Sequence, residues 1–597
     1  MRHPNKNIAL TGIVACILAS CVKAPTSSEP LLSKQADFCN LINIKNTPAG
    51  AVDWDAYVFA DKGAWMAYSL PDNENRRHAG AFMGPMVMTG RGWIAAGLAE
   101  PTLWVNGEQY RMVYNVQTTR YLPGKLIQEY NDENLNFTTE LCYLTSRSVA
   151  IRSIVKNMSQ KPVKVSFDWN GGVYEPTSVV SSIDKGLSFI RPKDSTNTVI
   201  RFLTADKIQA VGSDSLHVTE KSEMTLEPGK TYQSEMTQTL TLRGEDTAKE
   251  LAAIATLNID NCFELNEQQW NAQIASLLSG NSKYLKDNKY RKVLVKAMMT
   301  LNSNYRTPAG DILHGGSNPS YNGFINGIWS WDSWKIASGN VHFNEEIAKS
   351  EMITLFDYQA DNGMVPDFIS YNKKYNNWRD AKPPVAAWGA MNVYKATGDK
   401  KFLETMFDKL YKFHQWWYAE RDHNHNGICE YGSTDGTLIA ACWESGMDNG
   451  VRFDDAVMQK NSEKAWSMNQ ENICLNSFLY VDKTILAEMA TLLNKPELAA
   501  QLNAEAKVIK EFVQTKMWDK ETGFFYDTRI DTGEHIKVMG AECWLPLWAG
   551  IATPEQAKQV MQKMMDPQKF NSTLPLGTLD ISHPRLRPVR GYWRGPV

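Results

Sequence analysis

The sequence predicts a multidomain protein in which an N-terminal antiparallel β-sandwich is followed by a domain built from helices. Residues from about 40 to 245 favour strands, because runs such as 163–169 alternate apolar and polar side chains without a break. Turn signals separate these runs, as at Asn106-Gly107 and Pro228-Gly229. Many short strands at close spacing are typical of a sandwich. We therefore assign residues 40–245 to a β-sandwich domain.

The hydrophobic pattern changes to a helical period after residue 245. We interpret residues 246–285 as a helical linker and residues 286–597 as the catalytic domain. Asp399 is predicted to cap a helix with one apolar face, and Pro496 is predicted to open another. We count about nine helices beyond the linker, which include 344–360, 384–397, 400–420, 470–493, 496–516 and 553–565. Helices joined by long loops fit a helical barrel whose site lies at one end.

The bulk composition is that of a globular protein, with 43% apolar and 22% charged residues. The formal net charge is −3, and no basic tract carries interleaved aromatic residues, which argues against nucleic acid as a partner. Eight of the 19 tryptophans fall between Trp329 and Trp443. Their clustering favours a cleft that binds carbohydrate.

Residues 1–21 are predicted to be a lipoprotein signal peptide. Basic residues precede the apolar run 8–18, which is too short for a standard membrane span. The run ends in Leu-Ala-Ser-Cys, which resembles the bacterial lipobox and makes Cys21 the candidate for lipidation. An ordinary signal peptide that contains a cysteine is the alternative. Residues 22–39 are interpreted as a tether, and a monomer is expected in the cell envelope, lipid-anchored at the outer membrane and facing the periplasm or the surface.

The segment 443–450 combines two carboxylates with turn residues. Glu444 and Asp448 are four residues apart, a spacing that is common by chance. Gly446 and the pair Asn449-Gly450 favour a turn, and Trp443 offers a flat apolar face beside the acids. Sugar cleavage needs a proton donor, and the C–H faces of sugars stack on aromatic rings. The segment is therefore a candidate for glycosidic chemistry.

A second segment, 327–334, places three tryptophans around Asp332. In a core helix the aspartate would be buried without a partner, at a cost of a few kcal/mol. A polar cleft suits it better, because Asp332 can accept hydrogen bonds from sugar hydroxyls while the rings stack on the sugar. The alternative is the start of an amphipathic helix capped by Asp332.

A third segment, 422–430, follows the spacing of an EF-hand calcium loop. The glycine at position 6 is present, and position 12 is Ser433 rather than glutamate, so another segment must complete the site. The predicted ligands within the loop are Asp422, Asn424, Asn426, the carbonyl of Ile428 and Glu430. We expect a structural Ca²⁺ ion, and the alternative is a polar turn without metal.

Four segments occur in the order Trp-Ser-Trp-Asp at 329–332, Lys-Pro-Pro at 382–384 with Trp388, Glu-Ser-Gly-Met-Asp-Asn at 444–449 and Tyr-Trp-Arg-Gly-Pro-Val at 592–597. Together they resemble glycoside hydrolase family 63, the family of processing α-glucosidase I and of bacterial α-glucosidases. The resemblance covers about residues 40 to 597 and implies a β-sandwich followed by an (α/α)6 barrel. Trehalases share the barrel and a related segment, and Met447 favours family 63.

The resemblance implies an inverting, exo-acting hydrolase that removes terminal α-linked glucose from oligosaccharides. Asp448 matches the general acid. Glu444 is assigned to substrate contact or to tuning Asp448, with capping of the loop as the alternative. By the same resemblance Glu471 is expected to complete the calcium site. The substrate-binding candidates are Trp329, Trp331, Asp332, Lys382, Trp388, Trp443, Trp593 and Arg594.

The general base of the family is a glutamate that follows the segment 592–597, so we expect it beyond residue 597. The barrel is accordingly expected to be incomplete, with about nine of twelve helices, and the chain by itself is expected to hydrolyse little. Three hypotheses remain open at this point: an α-glucosidase represented by an incomplete chain, a catalytically inactive lipid-anchored carbohydrate-binding protein, and a trehalase-like hydrolase.

Overall fold

The computed structural model describes residues 30–53, 57–72, 76–90, 92–113, 118–175, 179–320 and 327–595. The predicted signal peptide, Cys21 and the first part of the tether lie outside the described residues, as do residues 596 and 597. No helix within the described ranges is both long enough and apolar enough to cross a membrane.

The N-terminal region consists of antiparallel strands. They are β1 Met66–Ser69, β2 Met83–Val87, β3 Gly92–Trp93, β4 Glu100–Val105, β5 Glu108–Gln109, β6 Thr119–Leu122, β7 Lys125–Asn131, β8 Leu135–Tyr143, β9 Ser148–Asn157, β10 Val163–Gly172, β11 Val179–Ile183, β12 Gly186–Ile190, β13 Asn197–Phe202, β14 Lys207–Val211, β15 Ser215–Leu226 and β16 Thr231–Thr241. One sheet has the order β14-β15-β10-β4-β5, and a larger sheet has the order β11-β12-β13-β16-β9-β8-β7-β6.

The two large sheets pack face to face through aromatic side chains. Phe137 on β8 meets Phe167 on β10, with ring centroids 6.1 Å apart. Alternate residues of β10 are buried, from Val163 to Trp169, while the residues between them are exposed or half-buried. This is the period of two that the sequence predicts for a strand with one face on the core. The contact of the two sheets is that of a sandwich.

A helical region follows. Its helices are α1 Thr247–Ile254, α2 Ile259–Leu277, α3 Asn288–Asn304, α4 Ser330–Asn340, α5 Glu345–Thr354, α6 Ala386–Thr397, α7 Lys400–Glu420, α8 Leu438–Glu444, α9 Ile473–Leu492, α10 Pro496–Thr515, α11 Leu545–Trp548 and α12 Pro554–Met564. Short strands lie in the connections: β17 Tyr305–Arg306, β18 Gly316–Ser317, β19 Ile328–Trp329, β20 Phe368–Ile369, β21 Gly432–Ser433, β22 Met458–Ser462, β23 Ala465–Met468, β24 Gln470–Glu471, β25 Trp518–Asp519, β26 Phe524–Phe525, β27 Asp527–Arg529 and β28 His535–Ile536.

Consecutive helices pack as hairpins, α4 with α5, α6 with α7 and α9 with α10. The first members of these hairpins also touch one another, α4 with α6 and α6 with α9. The three first members therefore form an inner row, and α5, α7 and α10 lie outside it. The loops that precede α4 and α6 meet at one end of this row, where Trp329 of the first loop pairs with Phe368 of the second.

Two predicted helices differ from the structure because tertiary pairing intervenes. The predicted helix 344–360 ends at Thr354, and a single 3₁₀ turn, Phe356–Tyr358, follows it. The predicted helix 470–493 begins at Ile473, because Gln470–Glu471 pairs as a strand with β27. By contrast, α7 has the predicted bounds, and the side chain of Asp399 accepts a hydrogen bond from the amide of Phe402 as the expected N-cap.

Candidate active site

Trp331 and Gly446 bring the two candidate motifs together. Gly446 has φ +67°, and a Cβ added there would lie 2.3 Å from Cζ2 of Trp331. Only glycine tolerates both this conformation and this close approach. The ring of Trp331 therefore packs on the backbone of the turn that follows α8, and the start of α4 lies against the segment that carries Asp448.

Asp448 is half-buried at the end of this turn. Its carboxylate accepts a hydrogen bond from the hydroxyl of Tyr592 at 3.3 Å. Burial raises the pKa of Asp448 above that of an exposed aspartate, while the charge of Lys382 and the hydrogen bond from Tyr592 act in the opposite direction. The carboxyl keeps its proton to a higher pH than an exposed aspartate does. It is therefore suited to donate a proton.

The segment that contains Tyr592 is held against the Asp448 turn by Asn449. The side chain of Asn449 donates to the carbonyl of Gly591 at 3.1 Å and accepts from the amide of Trp593 at 3.0 Å. Nε of Arg594 donates to the carbonyl of Asn449 at 2.7 Å. The structure thus places Trp593 and Arg594 beside the turn that carries the candidate acid.

The guanidinium of Arg594 binds mainly to other residues of the protein. Its guanidinium also forms an ion pair with Asp454, and 17% of its side chain is exposed. The residue anchors the segment 591–595, and only its remaining exposed edge is available to a substrate.

Lys382 lies beneath the site rather than on its surface. Its Nζ is 3.1 Å from Oδ1 of Asp367 and 3.3 Å from Oδ2 of Asp380, and it donates to the carbonyl of Trp443. Only 6% of the lysine side chain is exposed. The prediction that Lys382 contacts substrate is therefore wrong in this structure, because buried acceptors surround its ammonium group. Lys382 instead supplies the positive charge that faces Asp448 from within the protein.

Asp367 and Asp380 are the residues that sequence reasoning missed. Asn377 donates from Nδ2 to both carboxylates, at 2.8 Å each, and so holds them around Lys382. Burial raises the pKa of both aspartates, while the charge of Lys382 and the hydrogen bond from Asn377 act in the opposite direction. The signal in the sequence is the spacing Asp380-Ala381-Lys382, which places a carboxylate next to the lysine of a recognised motif. Asp367 has no comparable local signal.

Glu444 is fully buried and all of its acceptor positions are used. Arg421 donates to it from Nε and Nη2 at 2.8 Å each. The amides of Gly432 and Ala381 donate to it at 2.6 and 3.2 Å. The prediction of substrate contact is therefore wrong, because these donors leave no acceptor position of Glu444 for a ligand. The alternative interpretation, in which Glu444 caps loops, agrees with these contacts.

Trp329 and Asp332 lie at the start of α4. Trp329 pairs in β19 with Phe368, and their ring centroids are 4.8 Å apart. Asp332 occupies the first turn of α4, as in the helix-start alternative, yet 31% of its side chain is exposed. Its carboxylate lies 4.0 Å from Nζ of Lys335, which also covers the ring of Trp331 at 3.5 Å. Asp332 remains open to a ligand.

The two other tryptophan candidates are placed differently. Trp443 directly precedes Glu444 in the sequence, and the guanidinium of Arg379 lies 4.9 Å from the centroid of its ring. Trp388 lies on α6 and packs edge-on against Trp548, at 6.2 Å between centroids.

The segment 422–430 folds as the predicted polar loop. The carboxylate of Asp422 accepts from the amides of Asn426 and Gly427, at 3.0 and 2.9 Å, and Glu471 accepts from the side chain of Asn426 at 2.8 Å. Burial raises the pKa of Glu430, and the negative charges of Asp422 and Glu471 nearby raise it further. Its Oε1 is buried and has no hydrogen-bond partner among the described residues.

These carboxylates fit a hard cation, because three acids approach one another and a buried oxygen has no donor. Over the ranges that the structure covers, no group of three or more His, Cys, Asp or Glu side chains has the geometry of a metal site. A cation would therefore depend on the amide oxygens of Asn424 and Asn426 and on the carbonyl of Ile428 as well.

Comparison with known proteins identifies the helical region. Residues 326–597 match the family model described as "Mannosylglycerate hydrolase MGH1-like glycoside hydrolase domain". The helical region is therefore similar to the glycoside hydrolases that this model describes. Residues 51–182 match the model "Glucosidase YgjK, N-terminal", so the β-rich region is also of a kind found in glycosidases.

Three relatives of this chain carry three different activities in their names. A mannosylglycerate hydrolase of Rubrobacter radiotolerans is 26% identical, over 45% of this chain and 75% of that protein. A glucosylglycerate hydrolase of Mycolicibacterium hassiacum is 27% identical, over 45% and 77%. The cytosolic neutral trehalase of Saccharomyces cerevisiae is 22% identical, over 45% and 43%.

Proposed function

We propose that this glycoside hydrolase removes a terminal α-linked glucose from small saccharides with inversion, and that Asp448 is its general acid. The observation that carries the proposal is the position of Asp448, a half-buried carboxyl of raised pKa on a turn that packs against Trp331 and Tyr592. Protonation of the glycosidic oxygen by such a group is what cleavage requires.

In this mechanism Asp448 donates its proton to the leaving oxygen, and a second carboxylate activates water on the opposite face of the sugar. The two carboxyl groups of an inverting enzyme stand roughly 6.5–9.5 Å apart to leave room for the water. The half-exposed ring of Trp331 lies beside the acid with Lys335 over it, and Asp332 offers a partly exposed carboxylate for the sugar hydroxyls. Lys382 stabilises the charge that Asp448 acquires.

We also propose that the hairpins α4–α5, α6–α7 and α9–α10 are part of an (α/α)6 barrel. The row of contacting first helices with partners outside it supports this arrangement. The N-terminal ends of α4 and α6 then carry Asp332 and the Lys382 cluster to one mouth of the barrel, where the Asp448 turn also lies.

The test is an assay of the purified protein on α-1,2-, α-1,3- and α-1,4-linked glucose disaccharides and on trehalose. Proton NMR during turnover distinguishes the anomers, and β-glucose released first is the expected result. Release of α-glucose first would overturn inversion. If no disaccharide is cleaved but calorimetry detects glucose binding that Trp331→Ala weakens, the result contradicts hydrolysis by these residues alone and supports the binding-protein hypothesis. Cleavage of trehalose alone would identify a trehalase-like enzyme.

A second candidate substrate is a sugar linked to glycerate, which the names of two relatives favour. Such a substrate carries a carboxylate beside the scissile bond. Lys335 and Arg379 are partly exposed cations next to Trp331 and Trp443. Mannosylglycerate and glucosylglycerate therefore belong in the same assay. A kcat/KM above that of every glucose disaccharide would change the assignment of substrate.

Substitution of Tyr592 by phenylalanine is expected to move the alkaline limb of the kcat/KM profile to higher pH. The tyrosine hydroxyl stabilises the ionised form of Asp448, so its loss raises the pKa of Asp448 further. A general acid works when protonated, and activity is lost as pH rises through its pKa. The control is Tyr375→Phe at an exposed position. An unchanged or acid-shifted limb would contradict the role of this hydrogen bond.

We propose that the loop 422–430, with Glu471, holds a structural Ca²⁺ ion. Removal of calcium with EDTA is then expected to lower the Tm, and added Ca²⁺ to restore it, because a ligand at 100 times its Kd stabilises the folded state by about 2.7 kcal/mol. The Asp422→Asn variant should respond less to EDTA than the parent protein. A Tm that is the same with EDTA and with Ca²⁺ would leave the polar turn without metal as the correct interpretation.

We further propose that the protein is a monomer held in the cell envelope by lipid on Cys21. Cys21→Ser is expected to move the protein from the membrane fraction to the soluble fraction of the cells that make it. Equal membrane association of both forms would favour the ordinary signal peptide.

A further inference from the structure

The ammonium of Lys382 is shared by two buried carboxylates that lie on different sides of it. The side chain of Asp367 is 5% exposed, and that of Asp380 is fully buried. The amide of Ala381, the residue after Asp380, donates to Glu444 at 3.2 Å. Asp380 therefore lies on the side of the loops that Glu444 holds together.

Asp367 lies on the other side, against the start of α4. Its carbonyl accepts a hydrogen bond from the amide of Ser330 at 2.9 Å. The next residue, Trp331, packs its ring on Gly446 in the turn that carries Asp448. The start of α4 thus joins the backbone of Asp367 to the Asp448 turn, and Lys382 bridges the same two parts by donating to the carbonyl of Trp443.

The charges in this region follow the same division. Burial is the main cause of the raised pKa of both aspartates; the charge of Asp448 adds to it at Asp367, and the charges of Asp367 and Glu444 add to it at Asp380. A Coulomb interaction is mutual, so an ionised Asp367 also favours the protonated form of Asp448. The pKa of Asp380 is raised well above that of an exposed aspartate. Asp380 therefore keeps a proton, and Asp367 is the ionised partner of Lys382.

We propose that Asp367 is a positioning residue that keeps Asp448 protonated, because its negative charge balances the Lys382 ammonium beside the acid. This role rests on the proposed function, in which Asp448 is the general acid. The other group that faces Asp448 is the hydroxyl of Tyr592, which favours the ionised form. Without Asp367 the ammonium of Lys382 would be unbalanced, and Asp448 would lose its proton at lower pH. Tuning of the acid, which the sequence suggested for Glu444, is then a property of Asp367.

Asp367→Asn is expected to move the alkaline limb of the kcat/KM profile to lower pH by about one pH unit. Asparagine keeps the size of the side chain and an oxygen for Lys382, but it has no charge. The shift is opposite to the one expected for Tyr592→Phe. The matched variant is Asp380→Asn, which replaces a protonated carboxyl with a neutral amide and should leave the limb in place. Asp361→Asn, at an exposed position in the loop that leads to Asp367, should have the profile of the parent protein.

A second measurement follows the proton of Asp448 without turnover. The Tm difference between a protein and its Asp448→Asn form changes with pH while Asp448 titrates, and the upper end of that change marks the pKa of Asp448 in the folded protein. This upper end is expected about one pH unit lower when both proteins also carry Asp367→Asn. A chain that hydrolyses nothing would contradict the proposed function, and the Tm series would still decide the role of Asp367.

A milder variant covers the case in which Asp367→Asn does not fold. Asn377→Ala leaves Asp367 in place and removes a hydrogen bond that favours its ionised form, so it should move the limb and the upper end in the same direction by a smaller amount. A limb and an upper end that stay in place in these variants, or that move to higher pH, would overturn the proposal. An equal acid shift in Asp380→Asn would also overturn it, since either carboxylate would then serve.

Discussion

Replacing Asp448 with asparagine is expected to lower kcat/KM on any disaccharide that the protein hydrolyses by about 10²–10⁴-fold, the usual contribution of a general acid. Asparagine has nearly the same shape and keeps an acceptor for the hydroxyl of Tyr592, so the turn should persist. The amide has no proton of suitable acidity for the leaving oxygen. Steady-state kinetics at the pH optimum measure the effect, and glucose affinity should change little.

The choice of leaving group separates the loss of an acid from a general loss of function. A glucoside whose leaving group is itself a weak base needs little protonation, so Asp448→Asn should cleave an aryl glucoside or a glucosyl fluoride with a much smaller deficit. The matched control is Asp408→Asn, at a carboxylate that is 85% exposed on α7. An equal deficit on activated and ordinary substrates would contradict the assignment of Asp448 as the acid.

The elements that sequence reasoning predicted well are those fixed by neighbours along the chain. The helix α7 has an N-cap at Asp399 and a continuous apolar face, and both are local properties. The strand β10 shows its alternation within its own residues. The strand β24, by contrast, occupies the first residues of a predicted helix, because its hydrogen bonds go to β27, far along the chain. Local propensity carries no information about that partner.

The same division applies to the candidate site. The turn that holds Asp448 could be predicted from its own residues. Gly446 lies in a short segment rich in turn residues, and a glycine permits the positive φ that the turn needs. The roles of Glu444 and Lys382 could not be predicted, since both are decided by distant partners. Arg421 forms a buried ion pair with Glu444. Lys382 forms ion pairs with both Asp367 and Asp380. Identical side chains without those partners would be free to bind substrate.

Glu444 therefore allows the second large effect to be predicted. Glu444→Gln is expected to lower the free energy of unfolding by about 3–5 kcal/mol, because it leaves the guanidinium of Arg421 buried without a counter-charge. Urea unfolding of the variant and of Glu404→Gln, an exposed position on α7, measures the difference. The high-pH limb of the activity profile should stay in place, since the hydrogen bonds of Glu444 go to Arg421 and to loop amides and not to Asp448.

A double variant tests whether the loss comes from the uncompensated charge. Arg421→Met combined with Glu444→Gln removes both charges, while the glutamine oxygen can still accept from the amide of Gly432 or of Ala381. It should be more stable than Glu444→Gln alone, because the cost of a broken buried pair lies mostly in the charge left behind. If Glu444→Gln instead unfolds like the parent protein and moves the pH profile, Glu444 acts on Asp448 and not on the fold. The two measurements thus separate a carboxylate that organises loops from one that tunes the acid.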